Sequence, residues 1–216
     1  MDVQKIIEQL RIATRGMEPP ASVSIVSRFG RDSFLVLIAC ILSLRTRDTV
    51  SLPASMRLFE QVRTPRQILE LPVEKISSII YPVGFYRRKA ETIHNICREL
   101  LNRHNGEVPD TLAALMALPG VGLKTANLVL GEGFGIPALC VDTHVHRISN
   151  RLGLVKTKTP EETEEALRKI LPRKYWIEWS KLLVMLGQNV CVPISPWCSI
   201  CPIRAECQKV GVIKSR

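Results

Sequence analysis

Apolar residues recur three and four positions apart along nearly the whole chain, and strict alternation is missing, so the pattern predicts helices throughout. The first carries Val3, Ile6, Ile7, Leu10 and Ala13 behind a capping Asp2, and Gly16 with Pro19-Pro20 ends it. A short extended passage is expected next. From Phe34 to Leu44 the chain is apolar on nearly every side, as a helix at the centre of a core should be, with Asp32 or Ser33 at its start. Helical spacing continues over 49–60, 65–71 and 73–80. A long amphipathic helix then opens in Gly84-Phe85-Tyr86-Arg87-Arg88-Lys89 and carries Ile93, Ile96, Leu100 and Leu101; its consecutive cations read as a solvated face.

Beyond the turn residues of 104–109, Asp110 is expected to cap a short helix over 111–117, which Pro119 stops. A second helix should run from Gly122 to about Glu132, with Gly131, Gly133 and Gly135 dissolving it. Asp142 introduces a helix over 143–152, closed by Gly153. Thr159-Pro160-Glu161-Glu162 combines an N-cap, a proline at the first helical position and a capping-box glutamate, and starts a helix to Leu171. The span 175–188 gives one more. Neither a fixed-period repeat nor a low-complexity segment is present, and the fold class is all-α.

Length and charge sharpen this picture. At 216 residues the chain exceeds an average domain but is short for two complete ones, so a body of two lobes is expected. Lys and Arg outnumber Asp and Glu by 30 to 20, a net +10 that calls for a polyanionic partner, of which nucleic acid is the usual one. The longest apolar run, 34–44, falls short of the ~20 residues that cross a bilayer, so no membrane attachment is expected. Residues 1–15 mix charged and apolar positions, unlike a secretory signal. Seven cysteines without such a signal point to a reducing compartment: the cytosol, or the nucleus of a eukaryote. A monomer is expected.

Candidate chemistry lies between Leu118 and Asp142. Leu118-Pro119-Gly120-Val121-Gly122-Leu123-Lys124-Thr125-Ala126-Asn127 is a glycine turn entering a helix, whose first amides and positive dipole end suit a phosphate. Lys124 stands in the first turn of that helix, and Val141-Asp142-Thr143-His144-Val145 supplies a carboxylate at the start of the next. Alone, Lys124 is an ordinary surface cation and Asp142 an ordinary N-cap. His144 and His146, two apart, do not share a helix face and read as structural. Trp176, Trp179 and Trp197 read as packing residues. Near the C-terminus, Cys191, Cys198, Cys201 and Cys207 follow the spacing Cys-x6-Cys-x2-Cys-x5-Cys. Four thiolates so close suit zinc or a [4Fe–4S] cluster, and spacing alone does not choose. Cys40, Cys97 and Cys140 lie on apolar stretches and read as core thiols.

The Leu-Pro-Gly-Val-Gly-x-Lys-Thr-Ala-Asn turn, the later Val-Asp-Thr-His and the cysteine spacing together resemble the endonuclease III family of helix-hairpin-helix DNA repair glycosylases. The resemblance covers nearly the whole chain. It implies two helical lobes with a DNA groove between them: a six-helix domain over 26–136, and a discontinuous domain of 1–25 plus 137–216 that carries Asp142 and a [4Fe–4S] cluster on the four cysteines. It also implies a bifunctional DNA N-glycosylase and AP lyase that releases oxidised pyrimidines from double-stranded DNA and acts at abasic sites. In that scheme Lys124 forms a Schiff base, Asp142 assists, and Gly120, Val121, Gly122 and Thr125 hold the DNA backbone. The family's loop that probes DNA opposite the lesion commonly has a glutamine where this chain has Arg45. A monofunctional mismatch glycosylase, whose members generally lack the lysine, and a non-catalytic DNA-binding iron–sulfur redox sensor are the alternatives.

Overall fold

The computed structural model describes residues 2–216, and their order is α-helical, with one π turn and one 3-10 turn. The chain divides into two compact units, one of residues 1–20 and 137–216, the other of 21–136.

The continuous unit is built on α3 (Ser33–Ser43). Phe34 through Leu42 are all buried, so this helix has no solvent face; it packs against α2 (Ala21–Phe29), α4 (Asp48–Phe59), α7 (Tyr86–Arg103), α9 (Leu123–Leu128) and the π turn Val129–Phe134. Asp32 caps α3, its Oδ1 accepting the amides of Phe34 and Leu35 at 2.9 and 3.0 Å. Between α4 and α7 lie α5 (Pro65–Glu70) and α6 (Val73–Ile80), and α8 (Leu112–Met116) precedes α9. Because α5 and α8 are little more than one turn each, six longer helices remain once α9 is counted with its π extension.

Three local expectations change. The passage expected to be extended before Asp32 is the helix α2: Ala21, Ser22 and Ile25 turn inward at helical spacing, and tertiary burial outweighs the low helix propensity of its serines and β-branched residues. The start of the unit therefore lies at Ala21, because a boundary at 26 would cut α2 in two. Thr111, not Asp110, caps α8, accepting the Ala114 amide through Oγ1 at 3.4 Å. The glycines after Leu130 do not dissolve the second arm either. It widens into the π turn, and a Cβ on Gly133 would lie 2.9 Å from the Ser33 Cα, so glycine there permits close packing onto α3.

In the discontinuous unit α1 (Val3–Ala13), α10 (Thr143–Leu152), α11 (Pro160–Ile170) and α12 (Trp176–Asn189) surround one core of Ile6, Ile7, Leu10, Val145, Ile148, Leu152, Leu167, Trp179, Leu183 and Leu186. Each such side chain contributes about 1.5–3 kcal/mol on burial. Asp2 caps α1 through the amides of Gln4 and Lys5. Thr159 caps α11, but Glu162 reaches back to the Lys158 amide at 2.8 Å, one residue beyond the usual capping-box partner. Beyond α12 the chain enters the cysteine segment.

Candidate active site

The hairpin turn is anchored from below by Leu115, Leu118 and Val121, all buried. Its bend is set by Gly120 at φ +74, where a Cβ would also press to 3.0 Å on the Thr92 Cγ2. The Val121 amide donates to the Leu118 carbonyl at 3.2 Å and closes the turn. Gly122 is the N-cap of α9, exposed and without a side-chain cap, and a Cβ there would meet nothing within 4 Å. Glycine at 122 is therefore not demanded by packing; its effect is to leave the approach to the helix start open. Lys124 is exposed in the first turn of α9, whereas Thr125 and Asn127 are buried. Of the residues expected to hold DNA, Gly120 and Val121 offer backbone, Gly122 an open approach, and Thr125 packing in place of an exposed hydroxyl.

Asp142 belongs to the other unit. It is half-buried at the start of α10, and a single oxygen, Oδ1, accepts both the His144 amide at 2.8 Å and the Val145 amide at 2.9 Å. Val141 and Val145 are buried on either side, so the carboxylate is fixed by packing as well as by its two amides. His146 bonds through Nδ1 to the Thr163 hydroxyl at 2.6 Å, and the His144 ring lies where a Cβ on Gly187 of α12 would stand. Each ring is thus held by contacts within its own unit.

Arg45 follows α3 in a tight turn, exposed and at φ +52. Beside it, at the entrance to α7, Phe85 is also left-handed at φ +58 and 63% exposed. The Gly84 amide donates to Thr46 Oγ1 at 3.2 Å and joins the two turns.

The four C-terminal thiols line one cavity, together with Arg151, Val190, Pro196, Trp197, Arg204, Lys209 and Val212. Arg151 of α10 donates to Cys191 Sγ at 3.3 Å and to the Val192 and Pro193 carbonyls, while Arg147 donates to the Cys191 carbonyl at 2.8 Å. The Lys209 amide donates to Cys207 Sγ at 3.4 Å. Burial pushes the Cys201 thiol up to about 11, and the neighbouring Cys191, Cys207 and Cys198 push the same way. Four thiols this close repel one another as anions unless a cation is shared among them, which is the chemistry of a metal–thiolate site. Of the tryptophans, Trp197 lines the cavity and Trp179 lies in the core. Cys40, Cys97 and Cys140 are buried, and burial pushes the Cys97 thiol up to about 12.

Residues 38–173 match the HhH-GPD superfamily of base excision DNA repair proteins. Endonuclease III of Thermotoga maritima is 50% identical over 189 residues, which span 85% of this chain and 89% of that protein. The chain belongs to the endonuclease III family. Two solved structures agree across the fold, each at 35% identity and a TM-score of 0.83: a non-covalent endonuclease III–DNA complex, covering 96% of this chain and 94% of that one, and a trapped endonuclease III–DNA covalent intermediate, covering 97% of each.

For a member of the endonuclease III family, two residues stand out that the sequence did not reveal. Phe85 reads in sequence as the apolar start of a helix, and only its left-handed backbone turns it outward. Lys89 reads as one of a run of solvated cations but is 7% exposed, its ammonium bonded to the Leu42 and Leu44 carbonyls and to Thr46 Oγ1. Helical phase alone placed it inward: Lys89, Ile93, Ile96 and Leu100 share the buried face of α7.

Proposed function

We propose that Lys124 is the nucleophile, and Asp142 the assisting carboxylate, of a bifunctional DNA N-glycosylase and AP lyase that removes oxidised pyrimidines from double-stranded DNA. The chain is a base excision repair enzyme of the glycosylase/AP lyase type. The assignment of its residues rests on an exposed lysine in the first turn behind the Leu118–Gly122 bend, in a chain half identical to an endonuclease III. Lysine attacks only as the neutral amine. Its lone pair adds to C1′ of the damaged nucleotide, and the C1′–N bond breaks with the departing base taking the electron pair and a proton. Opening of the sugar ring leaves an imine between Lys124 and C1′. That imine acidifies the C2′ hydrogen; its removal expels the 3′ phosphate, cutting the strand on that side, and hydrolysis frees Lys124. Asp142, held by two amides on one oxygen, accepts a proton or steadies positive charge on the sugar.

Reaching C1′ inside a duplex means flipping the nucleotide out, at about a few kcal/mol. The backbone of Gly120, Val121 and Gly122 holds the phosphates around it. Arg45 and Phe85, exposed on adjacent turns, enter the space the nucleotide leaves: an aromatic wedge restores stacking while a guanidinium reads base edges or phosphate. The working form is a monomer in the cytosol, or in the nucleus of a eukaryote.

Cys191, Cys198, Cys201 and Cys207 would hold a [4Fe–4S] cluster, one thiolate to each iron. Zinc would draw its sulfurs to about 2.3 Å from one centre. The four thiols line one cavity and could serve either group, and membership of the endonuclease III family favours the cluster. When bound, the cluster supplies a cross-link that fastens the C-terminal segment.

Borohydride trapping on a duplex with one oxidised pyrimidine tests the assignment. A covalent adduct that Lys124→Ala abolishes supports it. Base release without an adduct means a monofunctional glycosylase, and binding with neither means a sensor. Broad visible absorption with about four irons per chain supports the cluster; bound zinc overturns it.

A further inference from the structure

We propose that Lys89 is a positioning residue for lesion recognition: its ammonium clamps together the two left-handed turns that carry Arg45 and Phe85, so both side chains stand outside the surface before DNA arrives. The inference rests on the reading above in which those two residues meet DNA, and extends it to the part that holds them.

The last carbonyls of a helix have no partner within it. At the end of α3 the Lys89 Nζ lies 2.7 Å from the Leu42 carbonyl, 2.6 Å from that of Leu44 and 3.0 Å from Thr46 Oγ1. Leu44 and Thr46 flank Arg45, so one ammonium grips both neighbours of the exposed arginine. The second turn is fastened to the same point. Thr46 Oγ1 also accepts the Gly84 amide at 3.2 Å, and a Cβ on Gly84 would press on Arg45 O and Thr46 Oγ1 at 3.2 and 3.1 Å. Phe85 follows immediately, and its carbonyl accepts the Lys89 amide at 2.9 Å, so the clamp is built one helical turn from the residue it serves.

A stable core does not call for this arrangement. A left-handed backbone disfavours residues with a Cβ by about 1–2 kcal/mol, and here two large side chains adopt it side by side and point into solvent. Glycine in the turns would remove the strain, and a glycine C-cap would satisfy the last carbonyls of α3 without a buried cation. Burial pushes the Lys89 ammonium down to about 8, which leaves it charged at neutral pH with all three hydrogens directed at oxygen. Arg47, Arg87 and Arg88 are exposed around the two turns, a setting suited to the phosphates on either side of a distorted base pair.

The test measures binding to a duplex carrying a non-cleavable abasic analogue, to the same duplex undamaged and to a single strand, for wild type, Lys89→Met, Arg45→Ala and the double variant. Clamping predicts that Lys89→Met weakens binding to the analogue duplex by about tenfold, with a much smaller change on the other two ligands, and that its effect and that of Arg45→Ala overlap in the double variant instead of multiplying. Effects that multiply, or a parallel loss on all three ligands that follows a fall in Tm, overturn the clamp while leaving Arg45 as a DNA contact. No effect of Arg45→Ala on the analogue duplex overturns the reading beneath it, and the clamp with it. Should Lys89→Met fail to fold, Thr46→Val removes the shared oxygen and Thr46→Ser restores it. A loss of lesion preference in the first that is rescued in the second supports the clamp, and identical behaviour of the two overturns it.

Discussion

Arg151, on the last turn of α10, points its guanidinium at the first thiol of the C-terminal segment, with Nη1 3.3 Å from Cys191 Sγ and the Val192 and Pro193 carbonyls bound to the same group. A cation here lowers the energy of a thiolate and fixes the loop behind it. Arg151→Met keeps the stem and removes those donors. With the proposed cluster bound, the expected outcome is faster bleaching of visible absorption in chelator or air, with α-helix content by circular dichroism unchanged; bleaching at the wild-type rate would separate Arg151 from the thiol site.

Asp142 presents a different test, because its cap and its proposed chemistry are separable. Asparagine caps a helix about as well as aspartate, whereas alanine costs about 1 kcal/mol. Asp142→Asn should unfold at nearly the wild-type Tm and lose trapping and strand cleavage by about a hundredfold or more, in the range of general acid–base effects. Asp142→Ala should lose both activity and stability. Full activity in Asp142→Asn would reduce the residue to the N-cap it also is.

Much of this was legible beforehand, and what was not follows a rule. α1, α3, α10 and α11 announce themselves because each joins a capping Asp or Thr to apolar residues at helical spacing, so local and tertiary preferences agree. α2 was missed because its serines and β-branched residues argue against helix locally, and only burial of Ala21, Ser22 and Ile25 decides. The π turn depends on how closely Gly133 meets Ser33, a contact a hundred residues apart that no window of sequence contains. The hairpin turn, Lys124, Asp142 and the cysteine spacing were visible as candidates because they are short motifs. Lys89 and Phe85 were not, since one needed its helical phase weighed above its charge and the other a backbone conformation that sequence does not print.

The Gly133 contact gives a stability prediction free of any functional assumption. A Cβ there would stand 2.9 Å from the Ser33 Cα and 3.2 Å from its Cβ, and backbone cannot move aside as a flexible side chain can. Gly133→Ala should destabilise the protein by about 1–3 kcal/mol, the usual cost of overpacking, and lower Tm by several degrees. Gly122→Ala, where a Cβ meets nothing within 4 Å, is the control and should leave Tm near wild type. Equal Tm values for the two would mean that α3 and the π turn are less closely packed than the geometry states.

Lys89 makes the stability of the protein depend on alkaline pH in a definite direction. Its three partners are neutral oxygens, and burial lowers it from 10.5 to about 8. The unfolded chain therefore binds this proton more tightly than the folded one. Below pH 8 the folded state carries the full penalty of a buried ammonium, and the penalty lifts as pH rises from about 8 to 10.5, amounting to about 3 kcal/mol across the window. Other groups also titrate there, so the measurement is a difference: urea unfolding of wild type and Lys89→Met at pH 7 and again at pH 10. Whatever the gap at pH 7, it should move in favour of wild type at pH 10 by about 2–3 kcal/mol, because the methionine has no proton to lose. A gap that stays constant would mean that the ammonium reaches water in solution, and the two turns would then lack the dry, charged clamp on which their shape depends.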